Sequence, residues 1–154
     1  MARPVVKKWV PKNPEKYAGD PNNITLRSNW ERRFFHECDN NPSVLHYANE
    51  ELVIPYLCET DQRMHRYFPD ALIKVKTRTG EIKTFLVEIK PFIETQMPVP
   101  PKNPNTKRYQ EAVLTYVKNM SKWKAARAWC KERGIDFIIM TEYELGLKKR
   151  PSKT

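Results

Sequence analysis

The sequence predicts an α/β fold in a single domain, and three stretches of the chain support this prediction. Apolar residues recur at helical spacing over residues 28–38, and they alternate with polar residues over 71–89 around a turn that contains Gly80. A helical stretch that starts near Tyr109 then leads into the apolar run 135–141. A chain of 154 residues buries about two-thirds of its unfolded surface when it folds, which suffices for one core.

Residues 24–147 are expected to form this domain, between an extended basic arm at 1–23 and a basic tail at 148–154. The arm is rich in Pro, Asn and Lys, and its apolar residues are isolated rather than periodic. It therefore either lies across the domain or reaches out to a partner. Lys7 and Lys8 could contact DNA phosphates, whereas Trp9 could instead hold the arm on the domain surface.

The charge balance narrows the kinds of partner. The chain carries 28 Lys and Arg against 18 Asp and Glu, a formal net charge of +10. Such a balance favours an acidic partner such as nucleic acid, although a protein can also be basic without one. We expect a soluble intracellular protein, because the N-terminus lacks the apolar core of a secretory signal and no apolar run approaches the roughly 20 residues that span a bilayer.

The three cysteines, Cys38, Cys58 and Cys130, are an odd number without paired spacing or a neighbouring His pattern. The sequence thus suggests neither a disulfide framework nor a zinc site. We expect buried thiols in a reducing compartment.

The first helix is predicted from Ser28 to about residue 40, because Trp30, Phe34 and Cys38 lie on one helical face. Ser28 and Glu31 match a capping box, in which the carboxylate of the fourth residue reaches back to the start of the helix. Capping is therefore one interpretation of Glu31.

The remaining segments complete the expected secondary structure. Residues 44–47 and 51–57 are β-like, with Pro55 placing the second at an edge, and 59–64 is expected to be a loop before the hairpin. After the hairpin, a Pro-rich loop at 91–104 precedes one long helix, or two, that ends before Gly134. The apolar run 135–141 predicts a central strand, and 142–147 predicts a short helical turn.

The hairpin register can be predicted from its turn. A three-residue loop at 78–80 with a left-handed Gly80 pairs residue 77 with residue 81, and the same register pairs Asp70 with Glu88. It places the apolar residues 71, 73 and 75 on one face. Asp70, Glu88 and Lys90 then share the opposite face, whereas a shift of one residue would separate the two carboxylates.

Two carboxylates and a lysine on one face suggest metal-assisted phosphodiester hydrolysis. Asp70 and Glu88 are suitable ligands for Mg²⁺, with Mn²⁺ as a substitute, and the backbone carbonyl of Ile89 could supply a third oxygen. Lys90 would lie beside the attacking water and stabilise developing negative charge. The alternative is a cross-strand salt bridge between Lys90 and either acid, which would contribute at most about 1 kcal/mol.

The combination of Phe68-Pro69-Asp70 with Glu88-Ile89-Lys90 resembles the motif of the PD-(D/E)xK nuclease superfamily. This resemblance implies an αβββαβ core, in which helices flank a mixed sheet. In the transposon and mismatch-repair branches a glutamate of the first helix joins the metal site, and Glu31 matches it by position. The superfamily also suggests a side chain from the helix after the ExK motif, for which Gln110 is the candidate.

The chain is more narrowly similar to the head completion nucleases of T-even-type tailed phages. The similarity covers roughly residues 26–147 and is carried by residues 29–34, 65–70, 88–91, 122–126 and 130–134. It implies a small Mg²⁺-dependent nuclease that acts on double-stranded DNA late in virion assembly, when a filled head becomes competent to join its tail. It also implies portal or neck proteins as partners, and a location at the head–tail junction or in the host cytoplasm during assembly.

His65 and Arg66 flank the expected pocket and could bind a DNA phosphate, although they could equally be a surface pair at a strand end. Two other functions remain open at this point. One is a catalytically silent nuclease fold that binds DNA or plugs the portal vertex, and the other is a host-type repair or transposition nuclease.

Overall fold

The computed structural model describes residues 7–49 and 52–152. Part of the expected arm, the start of the predicted 51–57 strand and the last two residues of the tail lie outside these ranges. In chain order the elements are β1 (Lys7–Trp9), β2 (Ile24–Leu26), α1 (Asn29–Asn40), β3 (Val44–Asn49), β4 (Ile54–Cys58), β5 (Arg63–Tyr67), β6 (Ala71–Lys76), β7 (Ile82–Ile89), α2 (Lys107–Arg133) and β8 (Asp136–Met140), with 3-10 turns at Pro14–Lys16 and Phe92–Thr95.

A four-stranded mixed sheet, in the order β3-β6-β7-β8, forms the centre of the fold. Neighbouring strands are antiparallel except for β7 and β8, which α2 connects as a parallel pair. The order α1, β3, β6, β7, α2, β8 is the αβββαβ arrangement, with the β4–β5 hairpin inserted between β3 and β6. The predicted α/β fold class is confirmed.

The prediction that residues 135–141 form a central strand is wrong, because β8 lies at an edge of the sheet. The physical reason is that both faces of β8 are partly covered. One buried cluster, the cluster under α1, includes Phe34, Phe35 and Cys38, and Ile138 and Met140 pack against it. The other, the cluster under α2, includes Trp123, Ala126 and Cys130, and Phe137 and Ile139 pack against it. An edge strand covered on both faces has the continuous apolar sequence that is also typical of a central parallel strand.

The predicted register of the β6–β7 hairpin is confirmed. Ala71 pairs with Val87 and Lys76 with Ile82. The backbone N–H of Thr77 donates to the carbonyl of Glu81 at 2.7 Å, and Gly80 has a φ of +85°. The turn is therefore the three-residue loop with a left-handed glycine that the sequence predicts.

Each face of the hairpin contributes to a different core. Ile73 and Val87 pack in the cluster under α1, and Leu86 packs with Trp123 in the cluster under α2. Because side chains alternate along a strand, Glu88 lies on the same face as Leu86. The face that carries Glu88 is thus covered by α2, and Glu88 is buried there.

Both helices begin at side-chain caps. The Ser28 hydroxyl accepts a hydrogen bond from the Glu31 N–H at 3.1 Å, and Thr106 caps α2 in the same way through the Tyr109 N–H. The second helix is one uninterrupted element of 27 residues, and Gly134 ends it with a left-handed φ of +67°.

Among the described residues, none of the helices combines the length and apolarity needed to cross a membrane.

The expected loop at 59–64 is shorter than predicted, because β5 already begins at Arg63. Strand β5 pairs with β4 along its whole length, so His65 and Arg66 lie in a strand rather than at an entry to one. The sequence did not predict β5 because Arg63, Met64 and Arg66 are exposed and polar or flexible. Its buried residue, Tyr67, packs against residues of β4 and α2.

The described part of the arm lies across the domain. Strand β1 pairs with β2, and the Trp9 ring packs 6.4 Å from Phe35 and 6.2 Å from Tyr47 between ring centroids. The Lys16 ammonium donates to the backbone carbonyls at the end of α1, those of Cys38, Asp39 and Asn41. Trp9 therefore holds the arm on the domain surface.

Asp39 is the buried carboxylate that fastens this arm, and we expect Asp39→Ala to lower the free energy of unfolding by about 3 kcal/mol. The side chain is 2% exposed and accepts hydrogen bonds from the backbone N–H groups of Lys12 and Asn13 and from the Tyr47 hydroxyl. Urea unfolding followed by circular dichroism measures the change. Asp136→Ala, at an exposed position, is the control, and an equal effect of the two substitutions would contradict the prediction.

Candidate active site

Asp70 lies in the bend that leads into β6, directly after the buried Pro69. Its carboxylate accepts a hydrogen bond from the backbone N–H of Ile89 at 2.7 Å. This bond ties the start of β6 to the end of β7, so it places the Asp70 carboxylate beside the Glu88-Ile89-Lys90 segment. The proximity of the two motifs follows directly from the hairpin register.

Glu88 is the more deeply buried of the two acids, with 6% of its surface exposed. The Tyr67 hydroxyl donates a hydrogen bond to one carboxylate oxygen, and the Lys90 ammonium lies 3.6 Å from the other. Burial and the Glu88 charge raise the pKa of Tyr67 far above its ordinary value, so the phenol keeps its proton and remains a donor. Tyr67 and Lys90 therefore hold Glu88 from two sides.

The electrostatics of the acid pair suit a divalent cation. Burial, and after it the Glu88 charge, raises the pKa of Asp70 to about 8 against the opposing Ile89 N–H. Burial also raises the pKa of Glu88, although the Tyr67 hydrogen bond and the Lys90 and Lys122 charges oppose the rise. Desolvation of the half-buried Asp70 and the buried Glu88 thus outweighs the opposing interactions at each carboxyl group. Hard oxygen donors of this kind match Mg²⁺ or Mn²⁺, so the residues present fit such a metal.

Glu31 accepts a backbone hydrogen bond at the start of α1, and its charge also influences Asp70. Its carboxylate accepts a hydrogen bond from the Arg27 N–H at 3.1 Å, whereas the standard capping box would direct it to Ser28. The Glu31 charge is close enough to Asp70 to raise the pKa of that carboxyl further. The structure therefore brings the predicted first-helix glutamate toward Asp70 while the helix end retains a cap.

Lys122 of α2 was not identified as a site residue from the sequence, and its charge influences the pKa of Glu88. Its ammonium lies 5.8 Å from the centroid of the Tyr67 ring. Burial lowers the pKa of Lys122, and the negative charge of Glu88 opposes that change. The sequence signal was weak: Lys118 and Lys122 are spaced by one helical turn, which is common on exposed helix faces.

Gln110, the residue of the same helix that the sequence predicted to lie near the site, is far from Lys122. It is exposed and sits about three turns before Lys122, roughly 18 Å along the helix axis. A role for Gln110 in DNA binding stays a prediction.

The other predicted DNA-binding residues are spread over the surface. The His65 ring stacks on Tyr56 and hydrogen-bonds Asp61 at 2.7 Å, and the Arg66 guanidinium lies 5.8 Å from the centroid of the Phe68 ring. Lys7 and Lys8 are exposed on β1. Their contacts with DNA stay predictions. Arg66 lies near the Phe68-Pro69-Asp70 motif through its contact with the Phe68 ring.

Comparison with known proteins identifies the family of the chain. Residues 41–142 match the family described as TnsA-like endonuclease N terminal, a range that includes Asp70, Glu88, Lys90 and Lys122. The chain is also 46% identical over 138 residues to the head completion nuclease of Enterobacteria phage T4, covering 88% of this chain and 89% of that protein. The chain therefore belongs to the TnsA-like endonuclease family and is a homologue of the T4 head completion nuclease.

Proposed function

We propose that the protein is a Mg²⁺-dependent deoxyribonuclease that hydrolyses phosphodiester bonds of double-stranded DNA during completion of the phage head. The observation that carries this proposal is the pair of carboxylates, the half-buried Asp70 and the buried Glu88, which the hairpin places next to Lys90. The family match to endonucleases and the name of the T4 homologue support the reaction class and the biological setting.

Asp70, Glu88 and the Ile89 carbonyl would hold the metal, with Glu31 as a further acidic ligand. A divalent cation there supplies positive charge to the scissile phosphate and acidifies the attacking water. The Lys90 ammonium lies next to Glu88, where it would stabilise the negative charge that develops on the phosphate. Tyr67 orients Glu88 through its hydrogen bond, and Lys122 adds positive charge from α2.

The basic surface supports DNA as the substrate, since a net charge of +10 attracts the phosphate backbone. Lys7, Lys8 and Arg66 are the exposed cationic groups that we assign to phosphate contacts away from the metal. By analogy with the T4 homologue, we propose portal or neck proteins as assembly partners. We further propose that the protein acts at the head–tail junction and is present in the host cytoplasm during assembly.

The test of this function is cleavage of double-stranded DNA by the purified full chain with Mg²⁺, with Mn²⁺ and with EDTA. Cleavage is expected with either metal, and EDTA should remove it until excess Mg²⁺ is returned. The absence of cleavage of linear, supercoiled and branched DNA with both metals would contradict the proposal. Salt-sensitive DNA binding without cleavage would instead identify a catalytically silent DNA-binding protein.

Glu31 can be assigned by comparing two substitutions in the same cap. Ser28→Ala removes the hydroxyl that accepts the Glu31 N–H, and we expect a loss of about 1 kcal/mol of stability with cleavage close to wild type. Glu31→Gln retains an acceptor for the Arg27 N–H but lacks the charge, and we expect cleavage to fall by roughly tenfold or more. Urea unfolding and cleavage rates are measured for both proteins. Parallel losses of stability and activity in the two variants would show that Glu31 only caps the helix.

A further inference from the structure

A second group of metal-ligating side chains lies at the turn of the β4–β5 hairpin. The ligand atoms of Cys58, Asp61 and His65, which are a thiol sulfur, a carboxylate oxygen and an imidazole nitrogen, all lie within 4.8 Å of one another. These three residues form the hairpin-turn cluster. They are separate from Asp70 and Glu88, whose donors are oxygen atoms alone.

The hairpin holds the cluster in place through its backbone. Tyr56 pairs with His65, and Cys58 pairs with Arg63, so the thiol and the imidazole lie on one face of the two strands. The Gln62 N–H donates to the Cys58 carbonyl at 2.8 Å, and Gln62 has a left-handed φ of 57°. A non-glycine residue in this conformation indicates a turn that its surroundings hold in shape.

The His65 and Asp61 side chains of the hairpin-turn cluster contact each other, and the Cys58 sulfur lies 3.0 Å from the Thr60 hydroxyl of the same turn. The His65 ring stacks on Tyr56 with 5.7 Å between centroids, and its Nε2 atom lies 2.7 Å from the Asp61 carboxylate. Cys58 is 1% exposed, whereas the side chains of His65 and Asp61 are 37% and 41% exposed. The cluster therefore has a buried sulfur at its base and an opening to solvent above it.

We propose that the hairpin-turn cluster is a Zn²⁺ site. Sulfur and imidazole donors favour Zn²⁺ over Mg²⁺, which prefers oxygen atoms alone. Three protein ligands leave one position of a tetrahedral ion free. Water can occupy it, because the exposed side of the cluster faces solvent. A Cys-x2-Asp-x3-His spacing is short enough for one turn to supply all three ligands.

The site would stabilise the strand that positions Glu88. Tyr67 lies two residues after His65 on the same face of β5, and its hydroxyl donates to Glu88. An ion that ties His65 to Cys58 fastens this strand to β4. The zinc ion would thus act on the hairpin that carries Tyr67, and the metal that serves DNA cleavage would bind elsewhere, at Asp70 and Glu88.

Cobalt substitution of the metal-stripped full chain tests the proposal. One equivalent of Co²⁺ is expected to give the near-ultraviolet charge-transfer band of a thiolate ligand, and Zn²⁺ should displace it. Cys58→Ala and His65→Gln should weaken Zn²⁺ binding by at least about tenfold in competition with a chromogenic chelator. Cys130→Ala, which removes another buried thiol, and Asp70→Asn, which alters the acid pair, are the matched controls.

Several results would overturn the proposal. They are the lack of a thiolate band, wild-type Zn²⁺ affinity in His65→Gln, and loss of binding in Asp70→Asn or Cys130→Ala but not in Cys58→Ala. If Cys58→Ala fails to fold, His65→Gln decides the matter, since its side chain is partly exposed. Thermal unfolding provides a second readout, because Zn²⁺ should raise the melting temperature of the wild type but not of His65→Gln.

Discussion

Asp70→Asn and Glu88→Gln are each expected to lower metal-dependent DNA cleavage by roughly a thousandfold or more. Each substitution keeps the shape of the side chain and removes the negative charge that would hold the cation. Single-turnover cleavage of end-labelled double-stranded DNA at saturating Mg²⁺ measures the loss. Glu81→Gln is the matched control, because Glu81 is an exposed acid at the other end of the same hairpin. Full activity in both acid variants would contradict the assignment of the site.

The stability of Asp70→Asn separates a loss of chemistry from a loss of fold. The pKa of Asp70 is raised in the folded protein from 3.8 to about 8, chiefly by burial, so the folded state binds this proton more tightly than the unfolded chain. Protonation of Asp70 therefore adds to the free energy of unfolding. This contribution is fully present below pH 4 and is lost as the pH rises toward 8. Asn carries no such proton. In metal-free buffer, the variant should therefore gain stability relative to wild type between pH 4 and pH 8, as measured by urea unfolding.

Lys90→Met is expected to lower the cleavage rate by about a hundredfold, because it removes the ammonium beside Glu88 while it keeps most of the aliphatic stem. For Lys122→Met we expect a smaller loss, roughly tenfold, since the Lys122 charge lowers the pKa of Glu88 less than the Lys90 charge does. Lys124→Met is the control on the same helix, where the lysine is 82% exposed and faces Glu59.

The Lys90 variant also tests the alternative that Lys90 forms only a salt bridge with Glu88. In that case unfolding experiments would show a loss of stability, and the single-turnover rate of the folded protein would stay close to wild type. A role in the reaction instead predicts a large fall in rate with a small change in DNA affinity, which a binding assay in Ca²⁺ can measure separately. An equal effect of Lys124→Met would indicate a general loss of positive charge as the cause.

Local sequence patterns predicted much of the fold. The Ser28 cap, the helical spacing of Trp30, Phe34 and Cys38, and the alternation around Gly80 depend on residues close together in the chain. Strand β5 was missed, and β8 was placed at the wrong position in the sheet. Both depend on which elements pack against a strand, and strand sequence alone does not contain that information.

For the candidate site, the sequence by itself determined the pair of acids and their lysine. The turn around Gly80 sets the register, and side chains alternate with a period of two, so Asp70, Glu88 and Lys90 necessarily share a face. Only the tertiary structure decided what surrounds them. Packing of α2 on that face buries Glu88 and brings Lys122 to it, and pairing of β4 with β5 assembles the hairpin-turn cluster. Contacts between distant segments depend on the packing of the whole chain, whereas a hairpin register depends on its own turn.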